Sequence, residues 1–417
     1  MQNWFEKVKR YLLIVLLLIG GWCAWAQQPL SNALMRQYLT EIGVEITTHN
    51  KVELFFNGHD KFEDLFAHIK EAKDNINLEY FNFRNDSIAS LTFDILGEKV
   101  KEGVAVRAMF DAFGNSSNNQ PLKRNHINAI KEKGIELVKF DPIVFPWVNH
   151  IVPRDHRKIV VIDGKVGYTG GMNIADYYVN GLEGIGAWHD IHMRIEGEAV
   201  ARLQDIFLTT WNKETKQQVG GEDFYYEPTT WPDSLNTTMA IVDRAPKKTP
   251  KHIRRAYAKA IDVAQEKIQI INPYFVPTHL VRKALKKAIK RGIDVQIMLP
   301  AKSDIPFTPD VAEHVAHKLM KRGANIYLFN GGFHHSKVMM IDDDFCTVGT
   351  ANLDSRSLRY DYETNAFIFD KQVTKQLTDL FENDLENCTK MTPDYWKQKS
   401  GWKKFSGWFG NLLTPFL

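Results

Sequence analysis

The chain has 417 residues, 44% of them hydrophobic, which is ample to bury the cores of two or three domains. Its formal net charge of +3 is too mild for a dedicated nucleic-acid binder, which carries a strongly basic face. Its three cysteines, Cys23, Cys346 and Cys388, make neither a disulfide framework nor a zinc spacing, and Cys346 reads as a small core residue on a strand.

In chain order, Lys7, Lys9 and Arg10 precede an uncharged run from Tyr11 to Ala26 that ends in Ala24-Trp25-Ala26. A basic region, an apolar region and an A-x-A site make the pattern of a secretory signal peptide. The run is also at the short edge of a spanning helix, which needs about 17–25 residues, so a single uncleaved anchor stays open. Trp22 before Cys23 argues against a lipoprotein site. In both cases the positive charges stay cytoplasmic and the rest is exported, which predicts a place at the cell membrane on the extracytoplasmic (periplasmic) face.

From about Asn50 the pattern is α/β. Phe62 to Lys73 has helical spacing, Ile76 to Phe81 alternates as a strand, Ser87 to Glu102 reads as a helix ended by Gly103, and Val104 to Phe110 as a strand. The programme recurs later: a helix over Ile253 to Ala264, a strand over Ile268 to Ile271, a helix over Leu280 to Lys290 and a strand over Val295 to Leu299. Such alternation predicts a largely parallel or mixed sheet covered by helices, present twice. Glu102-Gly103-Val104 matches Arg291-Gly292-Ile293, and Leu203 to Phe207 matches Leu377 to Phe381. A drift in the offset puts an insertion in the first half, within Asn115 to Asn125 or Ile143 to Pro153. Gly220 to Thr238, rich in Gly, Pro, Thr and aromatic residues, reads as a linker.

Each half carries one motif. His156, Lys158, Asp163 and Asn173 find counterparts in His335, Lys337, Asp342 and Asn352, all four at one offset. Ile159 to Ile162 and Val338 to Ile341 are short apolar runs typical of a strand buried on both faces. Side chains alternate along a strand, so the His and the Lys two positions on project to the same side. An imidazole beside an ammonium at a strand end is a poor core pair and a good phosphate site. The Lys gives fixed positive charge and the Asn amide donates to a phosphoryl oxygen. The Asp reads as a structural partner that fixes the turn. Two histidines in one such cleft suggest a two-step exchange: one imidazole attacks the phosphodiester, and the other protonates the departing alkoxide. Lys158, Lys337, Asn173 and Asn352 can replace the charge a metal supplies elsewhere, and neither a metal nor another cofactor is expected. Asp190 and Glu363 follow the two motifs at similar places and are candidates to orient an imidazole through its second nitrogen. His334 would line the cleft mouth; His189 and His192 would be surface residues or lie behind the site.

On His156 to Asn173, Ile271 to Pro277 and His335 to Ser357 the sequence resembles the phospholipase D superfamily, and within it the bacterial cardiolipin synthases. The resemblance covers roughly residues 50 to 417. It implies two pseudo-symmetric phospholipase D-like domains, each a mixed sheet flanked by helices, packed face to face with one shared active-site cleft. The expected division is 1–26 signal peptide or anchor, 27–219 first domain, 220–238 linker, 239–390 second domain and 391–417 tail. The catalytic set it implies is His156, Lys158, Asp163, His335, Lys337 and Asp342, with Asn173 and Asn352 binding substrate. It makes His156 the nucleophile of a phosphohistidine mechanism and His335 the general acid, an order that the pseudo-symmetry makes easy to swap. The implied reaction is transfer of a phosphatidyl group from one phosphatidylglycerol to another with release of glycerol. Phosphatidylethanolamine or glycerol as acceptor, and a phospholipase D that hands the group to water, stay open. A nuclease would want a long basic stripe, and a catalytically lost scaffold would not keep both motifs. The family commonly carries two N-terminal spans, where this chain shows one apolar segment.

After Cys388, Trp396, Trp402 and Trp408 are interleaved with Lys397, Lys399, Lys403 and Lys404. Such a segment suits the lipid interface, and two readings stand side by side: a membrane-surface tail, or aromatics packed on their own domain. Lys283, Lys286, Lys287, Lys290 and Arg291 form a basic run on an expected helix, read as a solvated face that an exported membrane enzyme could also turn toward anionic lipid.

Overall fold

The structure, a computed structural model, describes residues 31–142, 152–226, 231, 232 and 235–413. The expected N-terminal signal or anchor, most of the Ile143 to Pro153 candidate insertion, part of the linker and the last four residues lie outside them.

The first half contributes β1 (Asn50–Phe55), β2 (Asn75–Tyr80), β3 (Ala105–Asp111), β4 (Glu136–Phe140), β5 (Lys158–Ile162), β6 (Val166–Gly170), β7 (Trp188–His189) and β8 (His192–Gly197). The second contributes β9 (Thr238–Arg244), β10 (Lys267–Ile271), β11 (Asp294–Pro300), β12 (Asn325–Phe329), β13 (Phe333–His334), β14 (Val338–Ile341), β15 (Phe345–Gly349), β16 (Glu363–Phe369) and β17 (Cys388–Lys390). The first sheet runs β1-β8-β6-β5-β2-β3-β4; the second runs β9-β16-β15-β14-β10-β11-β12-β17, the same order with one added edge strand. In each, three parallel strands continue into an antiparallel set, so both are mixed sheets.

The expected elements form with ends shifted by a few residues. Among the helices that cover the sheets are α1 (Ser31–Glu41), α2 (Gly58–Glu71), α3 (Ser87–Lys101), α4 (Ala199–Thr215), α5 (His252–Val263), α6 (His279–Lys290), α7 (Thr308–Met320), α8 (Lys371–Asp384) and α9 (Gly401–Leu413). Strand alternation divides the cores. Val160 and Ile162 of β5 face the outer core of the first half, whereas Ile159 and Val161 face an inner core shared with the second. Met339 and Ile341 of β14 face the second outer core, and Val338 and Met340 the same inner one. Residues of α4 and α8 complete that inner layer, so the sheets pack face to face with two helices contributing between them.

Helix α1 does not pack as its place in the 27–219 segment suggests. Met35 and Leu39 are buried in the second half's core, and the first turn is held there by Asp344, which accepts from Asn32 N at 2.9 Å and Asn32 Nδ2 at 2.8 Å. The chain then crosses through a bridge between Thr47 and Met239 before entering β1.

The motif aspartates close the strand ends far from the histidines. Asp163 accepts from the backbone N–H groups of Lys73 and Asp74 at 2.8 Å and of Asn75 at 2.9 Å. Asp342 does the same for Gln265 and Glu266 at 2.8 Å and Lys267 at 2.9 Å. Both sit at positive φ (52° and 53°) in the turn after the motif strand, where Asp is tolerated better than most residues. Each therefore pins the start of the neighbouring parallel strand. Asp163→Ala or Asp342→Ala strips three backbone donors of a charged acceptor and is expected to cost about 3 kcal/mol of unfolding free energy. Urea unfolding followed by far-UV dichroism checks this; a midpoint unchanged from wild type would refute it.

Candidate active site

Antiparallel pairing sets β2 beside β5 and β10 beside β14, with Tyr80 opposite Lys158 and Ile271 opposite Val338. The C-terminal ends of the central parallel strands thus meet the N-terminal ends of both motif strands, and His156 and His335 stand just before those strands. Each approach segment is stitched to the other half. His156 N donates to Tyr362 O at 3.0 Å, and β7 pairs with β13 so that His335 N donates to His189 O at 2.6 Å.

The carboxylates cross in the same way. Glu363, from the second half, contacts His156 Nδ1 at 3.0 and 3.1 Å; Asp190, from the first, contacts His335 Nδ1 at 2.6 Å. Gly171 is required beside Asp190, because a Cβ there would run into its carboxylate. Its counterpart Thr350 instead donates a hydroxyl hydrogen bond to Glu363. The lysines differ too. Lys158 Nζ donates to His156 O at 2.7 Å, whereas Lys337 Nζ lies 2.8 Å from His335 Nδ1 as well as donating to His335 O.

The two imidazoles and the two ammonium groups are gathered in one largely buried place, His156 keeping 14% of its side chain exposed, and the electrostatics follow from that. Burial, then Lys158 and Lys337, holds His156 well below the usual imidazole range; burial, then Lys337, does the same to His335. Burial pushes Lys158 down to about 7 and Lys337 to about 8, against partial support from Glu363 and Asp190. Burial also pushes Glu363 up to about 7 and Asp190 to about 6. The site is a cluster of reluctant charges that a bound anion would settle.

Asn173 and Asn352 are buried, and each keeps an amide oxygen without a hydrogen-bond partner among the described residues. Asp163 and Asp342, expected in the catalytic set, lie at the opposite ends of the motif strands and touch backbone only, so the structure does not bring them to the histidines. His334 is buried, with Nε2 3.0 Å from Asp384; His189 Nε2 lies 3.2 Å from Gly331 O; His192 is buried beneath the site. Among the described residues no group of three or more His, Cys, Asp and Glu is placed to hold a metal.

Aromatic walls were not assigned a role by the sequence reading. Phe81 meets the His156 ring edge-on at 5.0 Å, while Trp188, Phe333 and Tyr274 surround His335 at 5.4, 5.4 and 6.1 Å. Two of them did stand in stretches already singled out, beside Asp190 and within Ile271 to Pro277. Tyr274 donates to Asp304 at 2.6 Å, and Arg356, 33% exposed, is tied to Asp361 at 2.8 Å on the His156 side.

Residues 65–211 and 257–385 match the family described as cardiolipin synthase, phospholipase D-like domain. A cardiolipin synthase from Listeria monocytogenes serotype 4b (strain CLIP80459) is 36% identical over 380 residues, which cover 91% of this chain and 78% of the relative. Cardiolipin synthase 1 of Staphylococcus epidermidis (strain ATCC 12228 / FDA PCI 1200) is 36% identical over 385 residues, covering 92% and 78%. In fold, the chain is similar to phosphatidylserine synthase of Haemophilus influenzae Rd KW20, with a TM-score of 0.68 at 13% identity over 92% of this chain and 100% of that one. It is also similar to a polyphosphate kinase from Porphyromonas gingivalis, with a TM-score of 0.54 at 12% identity over 82% and 49%.

A tetrahedral oxyanion such as tungstate is expected to raise the melting temperature, by the equivalent of about 2.7 kcal/mol at a hundred times its Kd. The cationic donors are protonated below about 7 (Lys158) and about 8 (Lys337), so the rise should shrink as pH goes from 6 to 9. Thermal shifts across that range, with a Lys158→Met Lys337→Met control, check it; a rise that grows with pH would contradict it.

Proposed function

The chain belongs to the phospholipase D-like cardiolipin synthase family and is a phosphatidyltransferase of that superfamily, and on that premise we propose that it moves a phosphatidyl group between two phosphatidylglycerol molecules through a phosphohistidine. The observation that carries the mechanism is the pair of imidazoles in one cleft, each backed on Nδ1 by a carboxylate from the other half. That backing leaves both Nε2 atoms for chemistry.

The halves are alike in plan and unlike in detail, which supports a division of roles. His156 Nδ1 faces only the Glu363 carboxylate, a setting that holds the proton on Nδ1 and a lone pair on Nε2, as a nucleophile needs. His335 Nδ1 faces both Asp190 and Lys337, an acceptor and a donor, so its proton can be gained or lost during turnover. In the first step a bond forms between His156 Nε2 and phosphorus, and the bond from phosphorus to the glycerol oxygen breaks. His335 delivers its Nε2 proton to that oxygen and glycerol leaves. In the second step His335 takes the proton of a hydroxyl on the incoming phosphatidylglycerol, whose oxygen attacks phosphorus and frees His156. Lys158, Lys337, Asn173 and Asn352 hold the non-bridging oxygens, and Asp190 and Glu363 orient the imidazoles. No ligand of a cofactor is used in either step.

Substrate and partner belong to the same proposal. A lipid donor and a lipid acceptor call for a membrane surface, and the aromatic walls around His335 suit a headgroup that enters past apolar surface. Lys7, Lys9 and Arg10 before the apolar N-terminal segment support a position at the cell membrane with the catalytic part on the extracytoplasmic face. Among the described residues no helix is long and apolar enough to cross a membrane. A mild net charge supports lipid over nucleic acid.

Headgroup-labelled phosphatidylglycerol vesicles incubated with the full chain should yield cardiolipin and glycerol in equal amounts. His156→Ala and His335→Ala should each lower the rate about 100- to 10,000-fold or more. Phosphatidic acid as the product would make water the acceptor, and a rate within about tenfold of wild type in either variant would end the two-histidine mechanism. The rate should be bell-shaped in pH. It falls on the acid side as Glu363 and Asp190 take up protons near about 7 and about 6, and on the alkaline side as Lys158 and Lys337 lose theirs near about 7 and about 8. A flat profile from pH 5 to 9 would count against these groups.

A further inference from the structure

Helix α9 packs in an unusual sense: its small residues face the protein and its large apolar ones face out. Gly407 lies against the backbone of Asp310 and Gly410 against Val311, both on α7, so closely that a Cβ at either would collide. Trp402, Phe405, Phe409 and Leu412 recur on the opposite face and are exposed, Trp402 by 75%. Phe405 lies within 5.8–6.1 Å of Trp402, Trp408 and Phe409, so the side chains form one continuous aromatic stripe. A helix of this kind in water, with no partner on its apolar face among the described residues, marks an interaction surface.

Two neighbours say what kind. The loop that precedes α7 carries Ile305 and Phe307, exposed by 47% and 70%, and it belongs to the cleft mouth because Asp304 accepts from Tyr274, which flanks His335. On the other side, Arg282 Nη1 of α6 donates to Asn411 Oδ1 of α9 at 3.3 Å. From there Lys283, Lys286, Lys287 and Lys290 run along α6 and line a groove with Arg322. The crowding of this charge is visible at Lys318 of α7, whose ammonium is pushed down by burial and then by Arg282 and Lys286. Aromatic side chains beside a bank of lysines suit a surface that is apolar below and negatively charged above.

We propose that α9, the Ile305–Phe307 loop and the basic face of α6 form a docking plane that seats the cleft mouth on a bilayer of anionic phospholipid. The aromatic stripe and Phe307 enter the headgroup–acyl boundary, while the α6 lysines meet lipid phosphates. The active site then faces the lipids it draws from, and a headgroup reaches His335 past Tyr274 and Asp304 without leaving the interface. This deepens the lipid-transfer reading and rests on it for its purpose, but the seating can be measured without turnover.

The test uses the full chain with Cys23 and Cys388 replaced by alanine, Cys346 being fully buried. An environment-sensitive fluorophore is attached at Phe307→Cys or Phe405→Cys, and at Lys131→Cys on the first half as a control. Vesicles contain either phosphatidylglycerol or only phosphatidylcholine, with bromine on the acyl chains. At 307 and 405 the emission should shift to the blue and be quenched severalfold on phosphatidylglycerol vesicles, with little change at 131. Replacing Lys283, Lys286, Lys287 and Lys290 together by glutamate should weaken this insertion about a hundredfold. Labels at 307 and 405 that stay aqueous on phosphatidylglycerol vesicles would overturn the docking plane, while cardiolipin formation from detergent-dispersed lipid by the same sample would leave the function standing. Labels shielded without vesicles would overturn it too, in favour of a second copy or another segment of this chain covering α9.

Discussion

The structure depends on a crossed exchange of charge between its halves. Two imidazoles and two ammonium groups are taken out of water in one cleft, which is costly unless opposite charge is supplied nearby. The supply comes from across the interface: Glu363 reaches His156, and Asp190 reaches His335. Neither half can hold its own histidine in place. The same crossing is written in the backbone, where the residue before each motif strand bonds to the segment that carries the opposing carboxylate. Docking of the halves therefore completes the site. What the exchange leaves over is two lysine ammoniums that burial pushes down to about 7 and about 8, and a bound phosphodiester would supply the negative charge that favours their protonated forms.

Pseudo-symmetry builds this cleft economically and would also make two equivalent histidines. A transfer that attacks with one imidazole and moves protons with the other needs them to differ. The difference is small and local. Glu363 is longer than Asp190 and carries a hydroxyl donor from Thr350, where the other half has Gly171. Lys337 reaches the ring nitrogen that Lys158 leaves alone. On the proposed mechanism, a shared scaffold with altered hydrogen bonding at Nδ1 would separate a fixed tautomer from an exchangeable one.

Much of this was legible in the residues. Period-two and helical spacings marked the elements because their apolar faces are buried as such spacings require. The motifs kept one common offset because each is a strand, a tight turn and a second strand, β5 with β6 and β14 with β15, and hairpin geometry leaves no freedom in that spacing. What escaped was tertiary. Phe81, Trp188, Phe333 and Tyr274 read as ordinary apolar residues until the sheets bring them around the histidines. The Asp of each motif, which the residues themselves marked as a partner that fixes the turn, entered the catalytic set only through the family resemblance, and a strand carries it to the far end from the histidines. Helix α1 follows the chain toward the first half and its side chains toward the second. The tail was ambiguous between core and interface because Trp and Lys suit both, and it divides: Trp396 stacks on His317 at 4.0 Å and Lys399 pairs with Glu313 at 2.8 Å, whereas Gly407 and Gly410 let α9 approach α7 with its large apolar residues turned outward.

The two ends of each central strand set are put to different use. At one end Asp163 and Asp342 accept backbone donors and tie the motif strand to its parallel neighbour, so strain or motion there would be passed down the whole strand. At the other end the same strands open out toward Tyr274, Asp304 and the histidines, with the aromatic side chains of Phe81, Trp188 and Phe333 around the imidazoles. Rigid backbone below and open aromatic surface above is what a site needs when its substrates are held by their tails in another phase. On the proposed reaction the protein would have to fix the reacting atoms against each other, because a bilayer fixes only the depth at which a headgroup arrives. On the proposed lipid transfer and docking, the aspartates, the crossed carboxylates and the outward face of α9 would serve those two demands.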